Sequence, residues 1–96
     1  MERANRNEYR GRDLTPSIGQ FVELVGGTVG HVLSVRRPSD ILSNMSEPDA
    51  VVFVSAKRSA YGCLWAERFY EIDVSVDGKT KKVEANGVAR VLQRWL

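Results

Sequence analysis

A β-hairpin is the clearest structural feature of the sequence, and it is predicted by the stretch Tyr70-Glu71-Ile72-Asp73-Val74-Ser75-Val76-Asp77-Gly78-Lys79-Thr80-Lys81-Lys82-Val83-Glu84-Ala85. Apolar and polar residues alternate from Tyr70 to Val76, which is typical of a strand with one buried face. Asp77-Gly78 favours a two-residue turn, because such turns need positive φ at their central positions. Residues 79–85 would then return antiparallel to the first strand.

The turn length fixes the register of this hairpin. A two-residue turn pairs Ile72 with Val83 and Asp73 with Lys82, and both pairs are favourable across neighbouring strands. A four-residue loop would instead pair Val74 with Val83, so the sequence leaves two registers open.

Further strands are predicted before the hairpin. Residues 21–25 and 29–36 form a second hairpin around Gly26-Gly27, with Val29, His31, Leu33 and Val35 on one face. The continuous apolar run 50–54 predicts a central strand buried on both faces. Residues 63–76 predict one long strand, in which a β-bulge near Glu67-Arg68 corrects the phase of the alternation.

Two helices complete the predicted fold. A short one opens at Pro38-Ser39-Asp40 and cannot extend past Pro48. A C-terminal one spans residues 87–96, with an apolar stripe of Val88, Val91, Leu92 and Trp95. Helices on one face of a mainly antiparallel sheet of about five strands make an α+β fold, which we expect to be a single domain over residues 14–96.

Composition narrows the class of protein. The 96 residues are 43% hydrophobic and 27% charged, as in ordinary globular domains, so disorder of the whole chain is not expected. Residues 1–13 carry four arginines and few apolar residues, which predicts a mobile basic N-terminal arm. The single cysteine and the lack of a long apolar run favour a cytoplasmic protein that does not enter a membrane.

No pattern in the sequence indicates catalysis. Cys63 and His31 form the only pair of a thiol and an imidazole, and Cys63 lies among apolar residues, as an inert buried thiol does. Glu71 and Asp73 share one strand face, but a solvated outer face is the simpler interpretation. One histidine and one cysteine do not supply a zinc shell, so we expect no metal and no other cofactor.

Two basic groups are candidate binding residues. One is the predicted loop 55–62 with Lys57, Arg58 and Tyr61, followed by Trp65. The other is Lys79, Lys81 and Lys82 in the hairpin, continued by Arg90 and Arg94 in the predicted C-terminal helix. Cations beside exposed aromatic rings are what single-stranded nucleic acids contact. A lysine-decorated edge that prevents aggregation is the structural alternative.

These observations favour a non-enzymatic protein-interaction module of the adaptor or inhibitor type, whose main partner is another protein. Small inhibitors of larger assemblies, including those encoded by phages, have this profile. The net charge of +2 does not by itself indicate nucleic-acid binding. Binding of RNA or DNA through the loop 57–61 and the basic C-terminal hairpin and helix is the alternative function. The sequence does not indicate the oligomeric state.

Overall fold

The computed structural model describes residues 15–92 of the chain. These residues form a five-stranded antiparallel sheet with three helices inserted between its second and third strands. The elements in chain order are β1 (Phe21–Leu24), β2 (Val29–Arg36), α1 (Pro38–Leu42), α2 (Glu47–Tyr61), α3 (Trp65–Arg68), β3 (Glu71–Val76), β4 (Lys79–Glu84), a 3-10 turn (Ala85–Gly87) and β5 (Val88–Leu92). The predicted α+β class is confirmed.

The strand order across the sheet is β4-β3-β2-β1-β5. The predicted helix over residues 87–96 is wrong for its described part, because residues 88–92 are strand β5 and pair antiparallel with β1. Residues 93–96 lie outside the described residues, as does the predicted arm over residues 1–13.

The sheet is rolled, because the connection between its two edge strands is too short to cross a flat sheet. Its edges, β4 and β5, are four strand spacings apart, which is about 19 Å in a flat sheet. Glu84 and Val88 end and begin these strands, and four residue steps span at most about 15 Å. The Val25 amide donates to the Gly87 carbonyl at 2.9 Å, and the Ala85 amide donates to the Tyr70 carbonyl at 3.0 Å. The 3-10 turn thus draws the two edges toward each other.

The core fills the inside of this rolled sheet. Its fully buried members are Val22, Val32, Ile72 and Val74, from β1, β2 and β3. Val83 and Val88, from the two edge strands, pack against this cluster. The residues of this cluster and those packed against it come from the strands and the segments next to them, within the described range.

The hairpin of residues 71–84 has the register set by a two-residue turn. Ile72 pairs with Val83 and Asp73 with Lys82, as the shorter loop predicts. Asp77 and Gly78 have φ values of 52° and 81°, the positive values that this turn requires.

Strand β2 departs from simple alternation. The register shifts between Val32 and Ser34, so Val32 pairs with Val74 and Val35 with Ile72. Val32 and Val35 therefore both face the core, whereas Val29 is exposed. The predicted shared face of residues 29, 31, 33 and 35 is wrong at Val35, because the shift at Leu33 turns Val35 to the core side while Val29 and Leu33 are exposed.

The segment between β2 and β3 differs most from the prediction. Residues 50–54 are not a central strand, and residues 55–62 are not a loop; both lie in or directly after helix α2. Residues 65–68 form the helical turn α3 rather than a bulged strand, so β3 begins at Glu71.

Candidate functional site

Helix α2 begins and ends with strong local contacts. The Ser46 hydroxyl accepts a hydrogen bond from the Asp49 amide at 3.3 Å, and Pro48 lies in the first turn, where its missing N–H costs nothing. Gly62 follows the last turn with a φ of 89°, and its amide donates to the Arg58 carbonyl at 2.8 Å. These ends define a helix of 15 residues, about 22 Å long.

One face of α2 holds the helix to the rest of the domain. Phe53, Lys57 and Tyr61 recur every fourth residue and therefore share this face. The Phe53 ring meets the rings of Trp65 and Phe69 edge to face, with centroids 6.0 and 5.7 Å apart. The Tyr61 ring meets Phe69 in the same way at 5.4 Å. This aromatic cluster docks α2 on α3 and on the segment that leads into β3.

Lys57 lies within this cluster rather than on a free surface. Its Nζ is 2.8 Å from Glu84 Oε2 and 4.7 Å from the centroid of the Phe69 ring. The ammonium thus combines an ion pair with a cation–π contact. The pair connects the middle of α2 to the last residue of β4.

Tyr61 makes a second connection to the end of β4. Its hydroxyl accepts from the Asn86 amide at 3.0 Å and donates to Glu84 Oε1 at 3.4 Å. Burial, with a further contribution from the negative charge of Glu84, raises the pKa of Tyr61 above its ordinary value. Tyr61 is therefore a neutral hydrogen-bonding group at physiological pH.

The rest of α2 faces solvent. No residue of this helix is fully buried, and Val51 and Val52 are 64% and 69% exposed. An open groove of about 760 Å³ runs along the helix on the side of Leu42 from α1. Its α2 wall consists of Glu47, Ala50, Val51, Val54, Ser55, Arg58 and Ser59. We call Leu42 and these seven α2 residues the α2 groove.

The α2 groove is a stripe of one helix face. Residues 47, 51, 54 and 58 follow a spacing of four, three and four, which keeps them on one side. Val52 lies about 100° further around the helix than Val51, and so belongs to another side. The groove is apolar at its centre and charged at its ends, where Glu47 and Arg58 stand. Neither charge forms an ion pair within the part of the chain that the structure describes.

The structure divides the first predicted basic group. Lys57 and Tyr61 face the aromatic cluster, and Trp65 is only 6% exposed. Arg58 is exposed and lies at the groove. The predicted combination of exposed cations and exposed rings is therefore not present here, because the aromatic side chains pack α2 against the domain.

The second basic group lies mainly on β4, an edge strand of the sheet. Lys79, Lys81 and Lys82 are exposed on β4, which is an edge of the sheet. Lys82 pairs across the hairpin with Asp73 and helps to lower the pKa of that carboxyl. Arg90 lies on β5, where it pairs with Glu23 at 2.7 Å. Arg94 lies outside the described residues.

The acidic residues of β3 are bound to an arginine. Arg36 Nε donates to Glu71 Oε1 at 2.8 Å, and its two terminal nitrogens donate to Asp73. The hydrogen bonds from Arg36 and Ser34 hold the pKa of Asp73 at about 2. A carboxylate held in its ionised form in this way is poorly suited to act as a general acid at neutral pH.

The cysteine and the histidine occupy different elements. Cys63 lies in the turn between α2 and α3 and is exposed, so the expectation of a buried thiol is wrong. The His31 ring stacks on Phe21 of β1, with centroids 4.8 Å apart. No group of three potential metal ligands occurs among residues 15–92.

Within the described range, none of the helices has the length and apolar character needed to cross a membrane. Comparison of the chain with known protein families, with curated proteins and with solved structures finds no match.

Proposed function

We propose that this chain is a non-enzymatic protein-interaction module of the adaptor or inhibitor type, and that it binds its partner protein through the α2 groove. The observation that carries the proposal is the exposure of Val51 on a helix that the aromatic cluster holds to the domain through a different side. Exposed apolar side chains gathered along a groove mark contact surfaces.

The distribution of charge in the groove supports a protein partner. An apolar centre supplies the area that is removed from water, and charges at the rim orient the partner. Glu47 and Arg58 stand at opposite ends of the helix and have no ion-pair partners within residues 15–92. A partner helix or strand would fit this arrangement if it had an apolar stripe, a basic residue opposite Glu47 and an acidic residue opposite Arg58.

Site-specific photocrosslinking tests the proposal. A photoreactive phenylalanine analogue placed at Val51 is expected to capture a discrete protein adduct in cells that make the chain. The same analogue at Val52 is the matched control, since that residue is equally exposed but lies on another side of α2. Absence of a protein adduct at residue 51, or equal adducts at residues 51 and 52, would overturn the proposal.

Nucleic-acid binding is the second candidate, and the exposed lysines of β4 favour it. Lys79 and Lys81 have no acidic partner in the described part of the chain. Binding through such lysines would weaken linearly on a log–log plot as salt rises. Lys79→Glu with Lys81→Glu should abolish retention of RNA or DNA if this function is correct. Retention that does not depend on salt or on these lysines would exclude it.

A further inference from the structure

We propose that the partner at the α2 groove is a second copy of this chain, bound so that the two α2 helices run antiparallel about a two-fold axis. This inference rests on the proposed function, since it names the occupant of the same surface. It follows from the order of side chains along α2, which is complementary to itself when reversed.

The two-fold axis would pass midway between the positions of Val52 and Phe53 along the helix. Each residue before this point then faces the residue equally far beyond it on the other copy. Val51 faces Val54, Ala50 faces Ser55, and Glu47 faces Arg58. All six residues line the α2 groove, so one operation pairs each of them with another member of the same surface. Of the remaining lining residues, Leu42 belongs to α1, and Ser59 would face Ser46 of the other copy.

Each of these pairs is physically favourable. Each central Val51–Val54 pair buries Val51, which is exposed in the single chain, against Val54, which is half-buried there. Ala50 and Ser55 are small, which lets two helix backbones approach closely in a crossing of shallow angle. Glu47 and Arg58, about 8 Å along the helix from the axis, form one ion pair at each end of the interface.

The size of the contact sets the expected affinity. A pair of helices about 22 Å long buries an area at the low end of specific interfaces. We therefore expect a dissociation constant of about 1–100 µM. The oligomeric state should accordingly be measured over a concentration series that spans this range.

Sedimentation equilibrium of the full chain from about 1 to 500 µM is the first test. The wild-type chain should change from monomer to dimer with concentration. Val51→Lys should remain monomeric, because it places two ammonium groups at the centre of the contact. Val52→Lys is the matched control, equally exposed on the same helix, and should dimerise like the wild type.

Charge reversal gives the sharper test. Glu47→Lys places an ammonium group against Arg58 of the other copy, and Arg58→Glu places a second carboxylate against Glu47. Each variant alone should therefore lose at least tenfold in affinity. When the two variants are mixed, both end pairs of a mixed dimer join unlike charges. The introduced lysine of one chain faces the introduced glutamate of the other, and the native Arg58 faces the native Glu47. In an equal mixture, native mass spectrometry should then show the mixed dimer well above the share that random pairing of the two chains would give, and a random share would contradict the pairing of Glu47 with Arg58.

Mixing the two variants separates the effect of charge pairing between chains from the effect of each substitution on the stability of its own helix. Glu47 and Arg58 also suit the dipole of their own helix, so each reversal lowers helix stability slightly. Mixing leaves this effect unchanged in each chain, and recovery of association can come only from contacts between chains. Far-UV circular dichroism of each variant confirms that the domain is folded.

A chain that stays monomeric throughout, or a dimer insensitive to Val51→Lys, would overturn the inference. If residue 51 nevertheless crosslinks to a different protein, the proposed function remains and only the self-association is excluded. If no protein crosslinks there and the chain is monomeric, both proposals are wrong.

Discussion

Arg36 and Asp73 are joined by two parallel hydrogen bonds between neighbouring strands, from Nη1 to Oδ2 at 3.0 Å and from Nη2 to Oδ1 at 3.1 Å. The Ser34 hydroxyl donates to the same carboxylate at 2.7 Å. A two-pronged contact of this kind is more ordered than an ordinary surface ion pair. The contact lies next to the register shift of β2, where it links the side chains of β2 and β3.

Asp73→Asn is expected to lower the free energy of unfolding by about 1–2 kcal/mol, because it removes the charge from a contact with partly buried partners. Urea unfolding at pH 7 measures the effect. Glu67→Gln is the control, since Glu67 is an exposed carboxylate with no ion pair among the described residues, and it should change stability by less than about 0.5 kcal/mol. Equal effects of the two substitutions would contradict a specific role for the Arg36–Asp73 pair.

The same pair predicts a loss of stability in acid. Hydrogen bonds from Arg36 hold the pKa of Asp73 at about 2 in the folded chain, below its ordinary value of 3.8. A carboxyl group whose pKa is lower in the folded chain than in the unfolded chain stabilises the fold at pH values above its unfolded pKa. This contribution disappears as the pH falls toward the pKa of the folded chain. The difference in stability between wild type and Asp73→Asn should therefore be constant above about pH 5 and shrink steadily between about pH 4 and pH 2. A difference that does not depend on pH would show that the charge of Asp73 is not responsible.

Tyr70 predicts a loss of stability in alkali. Burial, with a smaller effect of Tyr61, raises the pKa of Tyr70 to about 12. An acid with a raised folded-state pKa contributes its full stability below its unfolded value near 10, and loses it as pH rises toward 12. Unfolding followed from about pH 8 to 12 should show Tyr70→Phe losing less stability than the wild type. Parallel losses in the two proteins would contradict this assignment.

Gly30 is a position at which the rolled sheet is closely packed. A Cβ atom added there would lie 3.0 Å from Val74 Cβ and 3.2 Å from Val76 Cγ2. Both valines belong to β3, and a Cβ atom cannot rotate out of the way. Gly30→Ala should therefore destabilise the domain by about 1–3 kcal/mol in urea unfolding. A change below about 0.5 kcal/mol would mean that β2 and β3 move apart at Gly30 with little loss of stability.

The two hairpins are the part of the fold that the sequence predicts best. Each has a turn of glycine-containing residues with positive φ, and each turn sets the position of both strands. Alternation then assigns the buried face of β3 correctly. It fails on β2, because the register shift at Leu33 depends on the pairing with β3 and leaves no mark in the local pattern.

Helix α2 is not predicted from the sequence because its residue types and its boundaries give opposite indications. Val51, Val52 and Val54 are β-branched and favour a strand. Ser46, Pro48 and Asp49 form a helix start, with a capping hydroxyl, a proline in the first turn and an acid. Pro48 can be interpreted as the end of the preceding helix, whereas it opens the next one. Since the α2 groove exists only on the helix, this error also hides the candidate site.

Strand β5 is predicted as a helix for a different reason. Val88, Val91 and Leu92 fit a helical stripe, and five residues are too few for the period to exclude a strand. The segment is a strand because β1 would otherwise present an unpaired edge, and the 3-10 turn delivers the chain to that edge. Tertiary pairing of this kind cannot be derived from local spacing.

Lys57 makes the charged contact that holds α2 against the end of β4. Lys57→Met keeps the side-chain stem over Phe69 but removes the ammonium, so both the ion pair with Glu84 and the cation–π contact are lost. We expect about 1 kcal/mol lower stability, together with faster amide hydrogen exchange along α2 than in the sheet. Arg58→Met removes the same charge from the next residue, which has no ion-pair partner within residues 15–92. Measured at a low concentration that favours monomer, the control should accelerate exchange in α2 much less than Lys57→Met, because it loses only the small contribution of Arg58 at the end of the helix dipole. If both variants accelerate exchange equally, net charge rather than the Lys57–Glu84 contact governs the docking of α2.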